Sequence, residues 1–250
     1  PPRRESFIRS YFDRRAYLAV RLPATFAAAS AALAPLTHAL SDAQIRTLLD
    51  LGAGSGSATW AAQATFAKLE TCTLFERDPE LIALGKELAE GADNTLLKEA
   101  NWHAADLGAT QPLPEADLVI ASYALNELSE AAASATLLRA WAAARVALVV
   151  VEPGTQAGFS LVKKLRTALI ETGAHLLAPC PHADACPLPP DDWCHFAQRV
   201  ERTALHRSLK GGDLGHEDEK FSYLVFTKQP LAAASARILR HPQRRSGHIH

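Results

Sequence analysis

The chain has 250 residues, of which 48% are hydrophobic and 21% charged, and its formal net charge is −1. A near-neutral charge argues against a protein that binds polyanions over its whole surface, and no apolar run approaches the roughly 20 residues needed to span a bilayer. This composition predicts one α/β domain with additions and a sizeable core. No signal-peptide pattern follows Pro1, and the sequence has no methionine, so we expect that at least the initiator is missing.

The charges are unevenly distributed between the middle of the chain and its ends. Residues 1–21 carry Glu5 and Asp13 against six arginines: Arg3, Arg4, Arg9, Arg14, Arg15 and Arg21. From residue 220 onward there are no acids and six cations: Lys220, Lys228, Arg237, Arg240, Arg244 and Arg245. Two basic ends predict local contact with phosphate groups, and solvated terminal charge is an equally good interpretation.

The first elements along the chain are predicted to be helical. In residues 1–40, large apolar residues recur at helical spacing, with breaks expected at Pro23 and Pro35. From residue 46, short apolar runs alternate with amphipathic stretches. Strands are predicted at 47–51, 71–76, 102–105, 117–122 and 146–152, and helices at 57–69, 79–89, 129–145 and 158–172. This alternation predicts a parallel sheet that is covered on both faces.

Regular patterning stops after residue 172 and returns only at a strand predicted for 221–227. Nearly fifty residues are too many for a structureless loop inside a compact domain. We therefore interpret about 174–215 as an insertion that holds a cysteine segment and a helix near 196–209. The predicted organisation is a helical segment at 1–40 followed by one α/β domain at 41–250.

A glycine-rich turn, Asp50-Leu51-Gly52-Ala53-Gly54-Ser55-Gly56, links the first predicted strand to the following helix. Glycines in this context allow a tight turn and close approach of a ligand to the backbone. A dinucleotide site has the spacing G-x-G-x-x-G, whereas here the third glycine comes one residue early. The spacing resembles motif I of class I S-adenosylmethionine-dependent methyltransferases.

That resemblance implies S-adenosylmethionine as cofactor and assigns roles to three acids. Asp50 would approach the methionine moiety, Glu76 at the end of the second strand would accept the ribose hydroxyls, and Asp106 after the third strand would pair with the adenine amino group. The expected cofactor-binding residues are Asp50, Gly52, Ala53, Gly54, Gly56, Glu76, Asp106 and Asn126. The alternatives are a loop that binds nothing and, for Asp106, a simple helix cap.

Three of the four cysteines, Cys180, Cys186 and Cys194, lie within fifteen residues of a proline-rich segment. Prolines exclude a helix or central strand here, and clustered cysteines favour metal or redox chemistry over disulfides in an intracellular-looking enzyme. Thiolates suit either an iron–sulfur cluster or zinc. The spacing is wider than that of a typical zinc knuckle, and buried thiols without metal are a third interpretation. Cys72 lies in a strand and is interpreted as a buried structural thiol.

The second half of the chain carries a more specific resemblance. Val151-Glu152-Pro153-Gly154-Thr155, the cysteine segment through Trp193-Cys194-His195-Phe196, and Glu217 to Leu224 resemble the mitoribosomal small-subunit methyltransferase-like family. Tyr17 to Pro23 is similar to its N-terminal helical segment. The family implies a Rossmann-like class I methyltransferase fold, association with the small ribosomal subunit and its rRNA, and an iron–sulfur cluster held by four cysteines.

The resemblance also sets the remaining expectations. Cys180, Cys186 and Cys194 match three cluster ligands, and the fourth is expected beyond His250. We expect a monomer without membrane association, in the cytoplasm of a bacterium or the mitochondrial matrix of a eukaryote.

No catalytic residue can be assigned from the sequence. No cysteine nucleophile ends the fourth or fifth strand, and the fourth strand runs into Ser122-Tyr123-Ala124-Leu125-Asn126-Glu127, not the Asn-Pro-Pro-Tyr element that holds an exocyclic amine. Asn126 and Glu127 either face a substrate or cap the following helix. The cofactor motif favours a methyltransferase that acts on small-subunit rRNA as the first hypothesis. The alternative is a non-catalytic assembly factor of the small subunit that binds rRNA and retains the cofactor pocket.

Overall fold

A computed structural model of the chain describes residues 11–41, 44–237, 244–245 and 247–249. The predicted contribution of Arg3, Arg4, Arg9 and Arg240 to the basic ends lies outside these residues. The helices are α1 Tyr11–Ala39, α2 Ser57–Thr65, α3 Pro79–Glu90, α4 Thr95–Lys98, α5 Glu130–Ala143, α6 Gln156–Glu171 and α7 Ala204–Lys210, with a short 3₁₀ helix at Leu125–Glu127. The strands are β1 Thr47–Leu51, β2 Thr71–Glu76, β3 Asn101–Ala104, β4 Ala116–Ser122, β5 Ala144–Pro153, β6 His175–Ala178, β7 Phe196–Glu201, β8 His216–Thr227, β9 Arg244–Arg245 and β10 His248–Ile249.

One large sheet organises the molecule, with the strand order β3-β2-β1-β4-β5-β8-β6. Strands β1 to β5 are parallel, as predicted. Strand β8 runs antiparallel to β5 and β6, and its first half pairs with β7. Because β1 and β4 are neighbours but not consecutive in sequence, the chain reverses its winding there, and a crevice forms at their carboxyl ends.

The core fills both faces of this sheet. On β5, Val149 and Val151 pack on the face covered by α1 and α2, whereas Leu148 and Val150 face α5 and α6. A strand that is buried on both faces has no polar alternation, which explains why the sequence pattern of β5 is a continuous apolar run.

Helix α1 differs from the sequence prediction in its continuity. Pro23 and Pro35 lie inside the helix and do not end it. The buried face of α1, which includes Ala24, Ala28 and Leu33, packs into the core, and this burial offsets the backbone hydrogen bonds that the prolines remove.

By length and composition alone, Phe12–Ala39 is apolar enough to cross a membrane. The expectation that no run approaches this length is therefore wrong for α1. Of the most apolar 18-residue window in this helix, 39% is buried inside the protein. A core helix that packs against a sheet can be as long and as apolar as a helix that spans a membrane.

The inserted region is more regular than predicted. A helix was expected near 196–209, but residues 196–201 form strand β7, and the helix is limited to Ala204–Lys210. The reason is pairing: β7 aligns with the first half of β8, from Phe196 opposite Phe221 to Glu201 opposite His216. Partner strands that are distant in sequence are not visible in a local pattern.

Candidate cofactor pocket and cysteine segment

A cavity of about 280 Å³ lies at the carboxyl ends of β1, β2 and β4. Its wall includes five of the residues predicted to bind a cofactor: Gly52, Ala53, Gly54, Glu76 and Asp106. The other predicted residues, Asp50, Gly56 and Asn126, lie outside this wall. The structure thus brings the centre of the glycine loop together with Glu76, at the end of β2, and Asp106, just after β3.

The glycine loop is preformed by its own hydrogen bonds. The N–H groups of Gly52 and Ala53 donate to the Phe75 carbonyl oxygen at 2.8 and 3.0 Å. Gly52 has a φ of +71°, and a Cβ atom there would lie 2.4 Å from the Cβ of Ala124. Only glycine satisfies both the left-handed backbone and this close approach. The loop ends at Gly56, which caps α2 without a side-chain hydrogen bond.

The Glu76 carboxylate is fixed at the cavity wall by three backbone donors. Its Oε2 atom accepts the N–H of Gly54 at 2.8 Å, and its Oε1 atom accepts those of Arg77 and Asp78 at 2.8 and 2.9 Å. A carboxylate offers about four acceptor positions, so roughly one remains for a ligand hydroxyl. Asp106 is held similarly, because its Oδ1 atom accepts the N–H of Gly108 at 2.8 Å.

Asp50 is fully buried behind the loop, where the Thr59 hydroxyl donates to its Oδ2 atom at 2.7 Å. Burial raises the pKa of Asp50 to about 7, and the Thr59 hydrogen bond opposes that rise. This position makes Asp50 a support of the loop and of α2. The Asn126 side chain is exposed, and its backbone N–H faces Glu152.

Glu152 has a supporting role that the sequence pattern did not reveal. It is fully buried at the end of β5, and its Oε1 atom accepts the N–H of Leu125 at 3.0 Å. Burial raises the pKa of Glu152 to about 8. The side chain therefore holds the 3₁₀ helix that follows β4, next to the cavity.

Helix α1 supplies a further wall of the cavity, through Tyr17, Arg21, Leu22 and Thr25. The Thr25 hydroxyl donates to the Ser57 hydroxyl at 2.9 Å, which ties α1 to the start of α2. Sequence reasoning assigned no site residue to α1. The available signal was the placement of Arg21 and Thr25, which are polar, within residues 16–29 of α1, a stretch that is otherwise apolar.

The described cations of the two basic ends mostly contact the protein itself. Arg14 pairs with Glu80, Arg15 with Glu87 and Arg21 with Glu219. The Lys228 ammonium lies 3.8 Å from the centre of the Trp141 ring, and the Arg237 guanidinium lies 4.2 Å from that of Phe196. These contacts reduce the charge available for phosphate.

The cysteine segment is fastened to three parts of the domain. The Arg166 guanidinium of α6 donates to the carbonyl oxygens of His182 and Asp184 at 2.8 and 2.9 Å. The Trp193 indole N–H donates to the Gly154 carbonyl at 3.1 Å, and the Ser222 hydroxyl of β8 donates to the Cys194 carbonyl at 2.7 Å.

Cys180, Cys186 and Cys194 are free, partly buried thiols that lie close enough to interact electrostatically. Burial raises the pKa of Cys194, the Arg237 guanidinium at 3.0 Å from its sulfur opposes this, and the charges of the other two cysteines add to the rise. Within the described ranges, no group of three or more His, Cys, Asp and Glu side chains is placed to hold a metal ion.

The segment nevertheless supplies the donor type that an iron–sulfur cluster uses, because Cys180, Cys186 and Cys194 are free thiols. The Arg237 guanidinium lies 3.0 Å from the Cys194 sulfur, and the buried Nε atoms of Arg237 and Arg166 have no hydrogen-bond partner within the described residues. An anionic cluster held by thiolates would offset these cations.

The parallel sheet with its antiparallel strand β8, the glycine loop after β1 and the acid at the end of β2 define a class I methyltransferase fold. The chain belongs to the family described as mitochondrial small ribosomal subunit Rsm22, whose model matches residues 12–250. The predicted fold class and family are thereby confirmed.

Two mitochondrial relatives illustrate this membership. The human ribosome assembly protein METTL17 is 28% identical over 252 residues, covering 94% of this chain and 53% of its own length. The Rsm22-cox11 tandem protein 2 of Schizosaccharomyces pombe is 25% identical over 291 residues, covering 94% of this chain and 38% of its own. The chain thus spans about half or less of the length of these relatives.

Solved structures support the fold alone. Magnesium protoporphyrin IX methyltransferase from Synechocystis PCC 6803, with bound SAM, has a TM-score of 0.56 at 15% identity, covering 89% of this chain and 93% of that chain. Human N-acetylserotonin methyltransferase, in complex with SAM, has a TM-score of 0.52 at 16% identity, covering 91% and 60%.

Proposed function

We propose that this protein is an assembly factor of the small ribosomal subunit that binds S-adenosylmethionine, or its demethylated product, in the cavity beside Gly52 and Glu76. The observation that carries the cofactor assignment is the meeting of the preformed glycine loop and the fixed Glu76 carboxylate at one cavity. Membership of the Rsm22 family, and the name of the human relative as a ribosome assembly protein, support the assembly role.

Cofactor recognition follows from the residues on the cavity wall. The remaining acceptor position of Glu76 suits a ribose hydroxyl, and Asp106 lies on the same wall for the adenine amino group. The uncapped start of α2 presents the positive end of its helix dipole to an anion such as the methionine carboxylate. Asp50, Gly56 and Asn126 support this site from outside the cavity wall.

Catalysis of methyl transfer to rRNA is the second candidate, favoured by retention of the pocket. A sulfonium methyl group is already activated, and in-line positioning supplies much of the rate. Tyr123, on the cavity wall, adds no base, because burial raises the pKa of its hydroxyl and this group donates to Glu219 at 2.8 Å. Because the Tyr123 hydroxyl stays protonated at neutral pH and donates its proton to the hydrogen bond with Glu219, Tyr123 cannot act as a general base.

Titration calorimetry tests the cofactor assignment. We expect the wild-type protein to bind S-adenosylmethionine or S-adenosylhomocysteine, and a Glu76→Ala variant to bind about tenfold more weakly, since it loses a charged acceptor. Glu171→Ala, at an exposed acid that ends α6, is the control and should bind like wild type. Absence of binding by the wild-type protein would contradict the assignment.

Mass spectrometry of small-subunit rRNA separates the two candidate functions. In a deletion strain, an assembly factor leaves the methylation map unchanged while immature subunits accumulate. Loss of one methyl mark, restored by the wild-type gene but not by the Glu76→Ala variant, would instead establish the enzyme.

An iron–sulfur cluster on Cys180, Cys186 and Cys194 belongs to this proposed function, with its fourth ligand outside the described residues. When bound, such a cluster would fasten the segment and place negative charge beside Arg237, whose guanidinium lies 3.0 Å from the Cys194 sulfur. We expect anaerobically purified full-length protein to contain iron and to be brown, and Cys186→Ser to lose both properties.

Cys72→Ala is the matched control for the cluster, because burial raises the pKa of Cys72 to about 12 and leaves a neutral thiol inside β2. It should retain the iron. Stoichiometric zinc without iron would decide for a zinc site, and a metal-free protein would favour buried thiols.

A further inference from the structure

Three side chains from distant parts of the chain meet beside the cofactor cavity. The Arg21 guanidinium of α1 donates two hydrogen bonds to the Glu219 carboxylate of β8, at 2.9 and 3.0 Å. The Tyr123 hydroxyl, just after β4, donates to the same carboxylate at 2.8 Å. The side chains of Arg21 and Glu219 are only 29% and 12% exposed, so this pair is far better shielded than an ordinary surface ion pair.

Tyr123 is held in an unfavourable backbone conformation at this point. Its φ of +56° is the one positive value recorded for a non-glycine residue in the described chain, and the left-handed region costs roughly 1–2 kcal/mol for such residues. The conformation is fixed from both sides, because its N–H donates to the Val151 carbonyl at 2.7 Å and its hydroxyl to Glu219. Strain of this kind persists only where surrounding contacts determine it.

The geometry connects these three residues with entry to the cavity. Tyr17, Arg21 and Thr25 of α1 line the same cavity as Gly52 and Glu76. A ligand in the cavity therefore contacts α1 and the sheet together, and it cannot leave on the α1 side unless α1 separates from the sheet. Glu219 does not line the cavity, and it acts on the ligand only through Arg21 and Tyr123.

We infer that Arg21, Glu219 and Tyr123 form a latch that holds α1 over the cavity and limits the rate at which a bound ligand leaves. This inference rests on the proposed cofactor role. By linkage, a ligand that binds only when α1 is docked stabilises the docked helix, so the latch and the ligand reinforce each other. Glu219 is a positioning residue in this arrangement.

The test is the dissociation rate of S-adenosylhomocysteine from immobilised protein, measured by surface plasmon resonance. Glu219→Gln keeps the shape of the side chain but removes its charge, and Tyr123→Phe removes a single hydroxyl. We expect release to be about tenfold faster in Glu219→Gln and severalfold faster in Tyr123→Phe, because loss of one partner of a shielded pair acts mainly on the off-rate. Asp218→Asn, at the neighbouring exposed acid of β8, is the matched control and should release the ligand at the wild-type rate.

Hydrogen exchange of ligand-free protein provides the second measurement. Amides in residues 17–25 should exchange faster in Glu219→Gln than in Asp218→Asn, and saturating S-adenosylhomocysteine should slow them in wild type. If the wild-type protein binds the ligand but both latch variants release it at the wild-type rate, the latch is overturned and the cofactor assignment stands. If the wild-type protein binds neither cofactor form, the proposed function fails and the latch with it. Should Glu219→Gln fold poorly, Tyr123→Phe decides by the same criterion.

Discussion

A Gly52→Ala variant will lose at least about a hundredfold in affinity for S-adenosylmethionine, which corresponds to nearly 3 kcal/mol. The added Cβ atom would lie 2.4 Å from the Cβ of Ala124, in a backbone with a φ of +71°. The Gly52 N–H is bonded to the Phe75 carbonyl oxygen, and Ala124 lies between the neighbouring strand β4 and the 3₁₀ helix. The loop therefore has to move away from the cavity it lines. Titration calorimetry measures the loss, and thermal melting measures the accompanying destabilisation.

Gly173→Ala is the matched control for this prediction. Gly173 has a similarly positive φ of +82°, but a Cβ atom there meets no atom within 4 Å. This variant carries the backbone strain without the collision, so it should melt slightly earlier than wild type and bind the cofactor normally. Equal affinity of Gly52→Ala and wild type would show that the loop does not hold the ligand.

The free energy of unfolding will fall as the pH rises from about 5 to 8. Burial raises the pKa of Asp50 to about 7 and that of Glu152 to about 8, whereas both groups titrate near pH 4 in an unfolded chain. Between these values the folded protein holds protons that the unfolded chain has released. Their stabilisation is fully present below the unfolded pKa and is lost as the pH rises through the folded pKa.

Urea denaturation at pH 5, 6.5 and 8 measures this dependence, and Glu152→Gln isolates one group. The glutamine carbonyl oxygen can still accept the Leu125 N–H but cannot ionise. We expect this variant to match wild type at pH 5 and to be more stable by a few kcal/mol at pH 8. Glu171→Gln, at an exposed position, should retain the full wild-type slope. Parallel slopes in wild type and Glu152→Gln would mean that Glu152 titrates normally.

The parallel half of the fold could be predicted from sequence because its signals are local. A buried strand such as β1 is a short apolar run, and the glycines after it mark a turn whose spacing is specific. The antiparallel strands β6 and β7 depend on pairing with β8, whose residues lie up to 52 positions away. Strand β7 was therefore predicted as a helix. The helix breaks predicted at the two prolines of α1 were wrong for a similar reason. Burial of the helix against the sheet outweighed the local helix-breaking effect of proline.

The candidate site shows the same division between local and distant information. Gly52, Glu76 and Asp106 were predicted from a motif resemblance whose residues lie at or just after strand ends, and the carboxyl ends of parallel strands meet at one edge. Arg21, Tyr123 and Glu219 were not predicted as a group, because no spacing rule relates residues on α1, just after β4 and on β8. Asp50 was expected at the ligand, but its complete burial becomes evident only once α2 is packed behind the loop.

Because Arg21 and Glu219 are far apart in the chain, they leave the ribosome at different times during synthesis. The two residues are 198 positions apart, and β8, which carries Glu219, is the last strand to join the large sheet. At 5–20 residues per second, about 10–40 s separate the appearance of the two side chains. A nascent chain can therefore form the glycine loop and Glu76 early, but it cannot close α1 over them until β8 has emerged. Tight retention of the cofactor would mark a chain whose synthesis has continued beyond β8, the last strand of the large sheet.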